Sequence, residues 1–173
     1  MSEPASPPTS EATASRLGVV SLLLLGLLVI LLATGVVAYA KWRDEKTKHD
    51  AYADALASAR AETLAFTTLD YRNAKASLAR VQKGATGEFG KEFARQSPAI
   101  ERLTRQNQSV SKGTVVSAGV VSMDPDSARV IVVADSKVTN KSTNRAVPRH
   151  YRLQLDLIRK GGDWLTSALE FVG

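Results

Sequence analysis

Two histidines, His49 and His150, are the only side chains here whose ordinary pKa lies near neutrality, so they are the first candidates for a general base or a metal ligand. Neither has a partner at catalytic or metal-ligand spacing. His49 lies in a charged stretch where it would face water. His150 stands beside Arg149 and Arg152. Cysteine is absent, which removes a disulfide framework, a thiolate metal site and a cysteine nucleophile. No glycine-rich phosphate loop, HExxH helix or nucleophile elbow occurs. The residue types therefore point away from catalysis and from any metal or cofactor.

Chemistry suited to binding is better represented. Lys137, Lys141, Arg145, Arg149 and Arg152 fall within sixteen residues that contain no acid. Such a cluster suits an acidic partner or anionic head groups, each basic group near such a surface contributing about 1 kcal/mol. It is equally what a solvated loop needs to stay soluble. Nucleic acid is a poor fit, because apart from Tyr151 no aromatic interleaves the cations to stack on bases. Part of the net charge of +6 is made elsewhere, by Arg16, Lys41, Arg43, Lys46 and Lys48 around an apolar run.

That run, residues 17–40, holds 24 residues without a charge, and a helix of that length spans a hydrocarbon core of about 30 Å. It reads as a single transmembrane helix. Its Ala38-Tyr39-Ala40 end mimics a signal-peptidase site, but the run exceeds the roughly 7–15 apolar residues of a signal peptide. Residues 1–16, with Pro4, Pro7 and Pro8 and little to bury, read as a disordered tail. The cations after the span outnumber Arg16 before it, and that count alone puts the following domain inside the cell.

Residues 41–69 continue as a juxtamembrane helix. Tyr52, Leu56, Ala59, Thr63 and Phe66 recur on one stripe, which can pack on the chain's own domain or meet a partner helix. A second helix is expected over residues 72–83, with Asp70 as its cap and Gly84 as its stop. A third starts near Thr86-Gly87 and carries Phe89, Phe93, Ile100 and Leu103, with Ser97-Pro98 breaking or restarting it. The period then changes to two. Residues 110–123, 128–138, 150–159 and 164–172 read as four antiparallel strands parted by Asp124-Pro125-Asp126, residues 139–146 and Gly161-Gly162. Tyr151, Leu153, Leu155 and Leu157 alternate with Arg152, Gln154 and Asp156, so one face of that strand is buried. The expected fold class is α+β: residues 70–173 form a cone-like domain, helices covering one face of a curved sheet of about four strands.

The order of anchor, long helix, LDYRNAKASLARVQKGATGEF (residues 69–89) and a last hairpin closing with KGGDWLTSALEFV (residues 160–172) resembles the actinobacterial mammalian-cell-entry (Mce) associated membrane proteins. The similarity runs over nearly everything from residue 17 onward. Its most specific pieces are Asp70-Tyr71-Arg72, Thr86-Gly87-Glu88-Phe89, and the glycine pair followed by Trp164. The resemblance implies a domain similar to the nuclear-transport-factor-two superfamily and to type IV secretion assembly proteins, placed outside the cytoplasm, against the charge count. It implies an accessory subunit of an Mce lipid-import complex, whose partners are Mce subunits or other membrane proteins. The partner-contact candidates are then Tyr52, Leu56, Ala59 and Phe66, with the basic cluster. The alternative is a lipid carrier, its acyl-chain or sterol pocket formed by Phe89, Phe93, Ile100, Leu103 and Trp164, although Trp164 and Phe171 also suit simple core packing. Enzymes of the superfamily use an acid or histidine in the pocket, which makes Asp70 and Asp135 the carboxylates to test.

Overall fold

The computed structural model describes residues 11–143 and 145–172, without the side chains of residues 11–30 and of 33, 37, 38, 40, 44 and 45. The elements run α1 (Glu11–Thr67), β1 (Leu69–Asp70), a 3-10 turn (Tyr71–Asn73), α2 (Ala74–Gly84), α3 (Gly87–Gln106), β2 (Val110–Met123), β3 (Ser127–Thr139), β4 (Val147–Lys160) and β5 (Asp163–Phe171). Two compact units divide the chain, residues 1–47 and 48–173.

The described residues of the first unit are helical. Of the expected span over residues 17–40, most side chains lie outside the described residues, and among the described residues no helix is long and apolar enough to cross a membrane. α1 begins at Glu11, inside the stretch read as a tail. Glu11 follows the last of the early prolines, so nothing in the backbone there stops an adjoining helix from propagating to it.

The second unit is α+β, a five-stranded antiparallel sheet in the order β1-β2-β3-β4-β5 with helices on one face. The expected count of four strands missed β1, a two-residue strand that pairs Leu69 with Ser111 and Asp70 with Val110. Two residues are too few to show alternation. The inward positions follow the period of two: Val130 and Val132 of β3 and Leu153, Leu155 and Leu157 of β4 are buried, and Ala55, Ala59 and Trp164 close over them. A second cluster joins Leu78 and Val81 of α2 to Phe93 of α3, with Phe66, Leu69, Phe89 and Ile100 packed around it.

Several boundaries moved for local reasons. Asp70 caps the 3-10 turn and not α2, accepting the Arg72 N–H at 2.9 Å, so α2 starts later, at Ala74. Ser97-Pro98 does not break α3. Pro98 and Ala94 are both exposed, so the carbonyl that loses its partner to the proline can bond to water. β4 starts at Val147, three residues before the expected strand, which shortens the basic hairpin. The β4–β5 turn needs glycine at both positions, with φ of 60° at Gly161 and 99° at Gly162. At Gly113 space decides: a Cβ would lie 2.0 Å from Thr67 Oγ1 and 2.8 Å from Thr67 Cβ, where α1 ends against β2.

Candidate functional site

Of the four side chains weighed for chemistry, His150 and Asp135 meet. Asp70 is half-buried and accepts from Arg72 Nε at 2.9 Å; this guanidinium holds its carboxyl down at about 2. His150 Nδ1 lies 2.7 Å from Asp135 Oδ1 on the outer, helix-free face of the sheet, where β4 pairs with β3 and both side chains are substantially exposed. His49 is exposed on α1. Among the described residues, no three His, Asp or Glu side chains gather where they could hold a metal.

The basic residues come together at one end of the sheet and its hairpin. Lys137 lies near the end of β3, Lys141 and Arg145 in the hairpin, and Arg149 and Arg152 on β4, all exposed. Lys137 pairs in register with Pro148 and Arg152 with Val133, which puts those two cations on the outer face, whereas Arg149, opposite Ser136, is on the other face at the exposed end of the strand. The Lys141 N–H donates to the carbonyl of Asn107 at 2.9 Å, which ties the hairpin to the end of α3. The cluster is a rigidly supported positive surface.

The helical stripe divides. Ala59 and Thr63 are fully buried against the sheet and offer a partner nothing; Leu56 and Phe66 are half-buried, Phe66 with its ring centroid 6.2 Å from that of Phe171. Tyr52 is exposed. The lipid-pocket residues are not brought together either. Trp164 belongs to the sheet core, whereas Phe89, Phe93 and Ile100 belong to the helical cluster, and Leu103 points to solvent. The space left inside the helical cluster is about 170 Å³, below the roughly 300–1,000 Å³ usual for a ligand site.

Two features escaped the sequence reading. Glu62 is 4% exposed, and burial pushes its carboxyl up to about 8. The signal was present: Glu62 is the one charge on the face formed by Ala55, Ala59, Thr63 and Phe66. Val116 and Val121 are exposed where β2 carries an extra residue against β3, and the paired valines at 115–116 and 120–121 are where the strict alternation fails.

The fold has solved counterparts. An IcmL-like type IV secretion system protein from Legionella pneumophila superposes with a TM-score of 0.55 at 14% identity, over 68% of this chain and 88% of that one. CagV, a VirB8 homologue of the type IV secretion system of Helicobacter pylori, gives 0.55 at 7% identity, over 70% of this chain and 97% of that one. At these identities the likeness is one of fold, a curled antiparallel sheet with helices on one face. In sequence, the chain is 36% identical over 141 residues to the protein Rv1363c of Mycobacterium tuberculosis. The match covers 80% of this chain and 54% of that relative, so the chain spans about half the relative's length. A family pattern described as "Uncharacterized protein Rv1363c/MT1408-like" matches residues 18–173, and the chain belongs to that family.

Proposed function

We propose that the protein is a membrane-anchored, non-catalytic scaffold subunit that holds the parts of an envelope complex together. The observation that carries this reading is the supported basic surface of Lys137, Lys141, Arg145, Arg149 and Arg152 on a fold shared with type IV secretion proteins. Five exposed cations, three on paired strands and two in the hairpin that joins them, suit an acidic protein surface, and the Asp135–His150 pair beside them does not cancel their charge. Resemblance to the Mce-associated proteins names the complex as a lipid importer. Residues 17–40 supply the anchor, with the sheet domain outside the cytoplasm.

The test is gentle-detergent purification of the tagged full chain from its native membranes, followed by cross-linking and mass spectrometry. Mce subunits are expected, cross-linked through Lys137 or Lys141. The double change Arg145→Glu and Arg149→Glu should lower their recovery at least fivefold while circular dichroism stays that of the parent. Undiminished recovery would remove the basic surface from the reading, and recovery of the chain alone would remove the scaffold.

Orientation is tested separately, using the absence of native cysteine. Ser142 is exposed in the hairpin. A Ser142→Cys variant in intact cells should react with a membrane-impermeant maleimide. Labelling only after lysis would put the domain in the cytoplasm, as the charge count has it.

A further inference from the structure

The two edges of the sheet are finished differently. At the β5 edge the Thr86 N–H donates to the carbonyl of Thr166 at 2.8 Å and Ala85 bridges to the same residue, so the turn before α3 closes the middle of that strand. At the other edge β1 pairs only with Val110 and Ser111, and Thr68 Oγ1 accepts the Gly113 N–H at 3.2 Å. From Thr114 to Met123, among the described residues, no strand pairs with the free side of β2. Long edges are ordinarily guarded by lysine, proline, a bulge or a cover against the addition of another strand. This stretch holds no charge and no proline. It does carry two bulges, and each brings a valine out: Val116 is 58% exposed and Val121 59%.

Those bulges fix what can pair there. Gly113 turns its N–H to the free edge, and by the alternation of the ladder, with the extra residues at 116 and 121 counted in, so do Val115, Ala118, Val120 and Met123. The same four side chains pack against the core. Laid antiparallel on a copy of itself about a two-fold axis at Gly119, β2 sets Val115 opposite Met123 and Ala118 opposite Val120, so core-facing positions and free backbone groups meet their own kind. Each bulge then meets the other copy's bulge, Val116 and Ser117 opposite Ser122 and Val121. Slipping by one or two residues either way sets core-facing positions against outward ones.

The charges agree with this register. Lys112, exposed just before the free stretch, falls opposite Asp126, exposed in the turn just after it, so opposite signs meet at both ends of the pairing. Asp70, within range of the Lys112 charge, is already paired with Arg72. Gly119 lies on the axis. A Cβ there would meet nothing within 4 Å and its φ is not positive, so neither its own domain nor its backbone calls for glycine; the bare Cα clears the point where two copies of one side chain would otherwise meet.

We propose that the free edge of β2 pairs with the same edge of a second copy of this chain, antiparallel about Gly119, which joins the two sheets into one and brings Val116 of one copy beside Val121 of the other. The interface is isologous and closes at two copies.

The chain has no native cysteine, and the two Gly119 Cα atoms would stand about 4.5 Å apart, within the roughly 4.4–6.8 Å that a disulfide spans. In isolated native membranes holding the full chain, Gly119→Cys treated with copper phenanthroline is expected to form a covalent dimer at least tenfold faster than Ser142→Cys, which is also exposed. Ser117→Cys and Val121→Cys should each stay monomeric, and give the dimer only when differently tagged chains carrying one of each are expressed together. Lys112→Asp should slow the cross-linking of Gly119→Cys at least threefold, and adding Asp126→Lys should restore it. Cross-linking of Gly119→Cys no faster than that of Ser142→Cys overturns the proposal. So does an adduct whose mass is not twice that of the chain, since a different protein then holds the edge. Ready cross-linking of Ser117→Cys alone, or no restoration by the second charge change, overturns the register and the pairing with it.

Discussion

Leu155→Ala is expected to lower the unfolding free energy of the sheet domain by about 3–5 kcal/mol, against a total for a domain of this size of about 5–15. Leu155 is fully buried in the middle of β4 and is flanked in register by Val130 on β3 and Leu169 on β5, so its removal opens a cavity with neighbours on both sides. Strands paired on both edges cannot close that space without breaking register. Urea unfolding followed by tryptophan fluorescence measures the loss, since Trp164 belongs to the same core and Trp42 is exposed from the outset. A change below about 1 kcal/mol would mean that the sheet relaxes where two flanking strands should hold it.

Glu62 carries the second large effect. Its carboxyl ordinarily titrates at 4.5 and sits at about 8 in the folded chain. The folded state therefore holds a proton that the unfolded state has given up, and the stability linked to it is full below 4.5 and lost as pH rises through 8. The slope approaches about 1.4 kcal/mol per pH unit inside that window, amounting to a few kcal/mol overall. Asp70 works the other way and elsewhere: its carboxyl is lowered to about 2, so its contribution is present above 3.8 and falls away only in acid. Unfolding of the parent and of Glu62→Gln at pH 5 and pH 9 separates the two. The parent is expected to weaken markedly by pH 9 and the variant to stay level, ending the more stable of the pair; parallel profiles would show that Glu62 ionises freely in the folded chain.

Much of the architecture was legible because period is a long-range signal. Leu153, Leu155 and Leu157 alternate with polar residues over a strand long enough for the pattern to stand out, and Gly161-Gly162 marks its turn by the backbone it requires. β1 was invisible because two residues carry no period, and Pro98 misled because its cost depends on whether the orphaned carbonyl meets water. The site was harder. Exposure of the basic residues followed from their charge, but which cavities remain open depends on how side chains from α1, α2 and β5 meet. Phe89 and Trp164 looked like one pocket and belong to two clusters. Glu62 was overlooked because a glutamate on a helix is ordinarily solvated, and what buries it, the close approach of Gly84, lies 22 positions along the chain.

Strands β2 to β5 form a meander in which each pairs with its sequence neighbours, so their ladders can zip by local hairpins, one after another. The face of α1 that Trp164 closes over cannot be covered on that schedule. Ala59 leaves the ribosome 105 residues ahead of Trp164, an interval of roughly 5–20 s at ordinary rates of synthesis. Through that interval the long helix exists without its lid. A nascent chain arrested before Trp164 would therefore still present Ala55 and Ala59 to water.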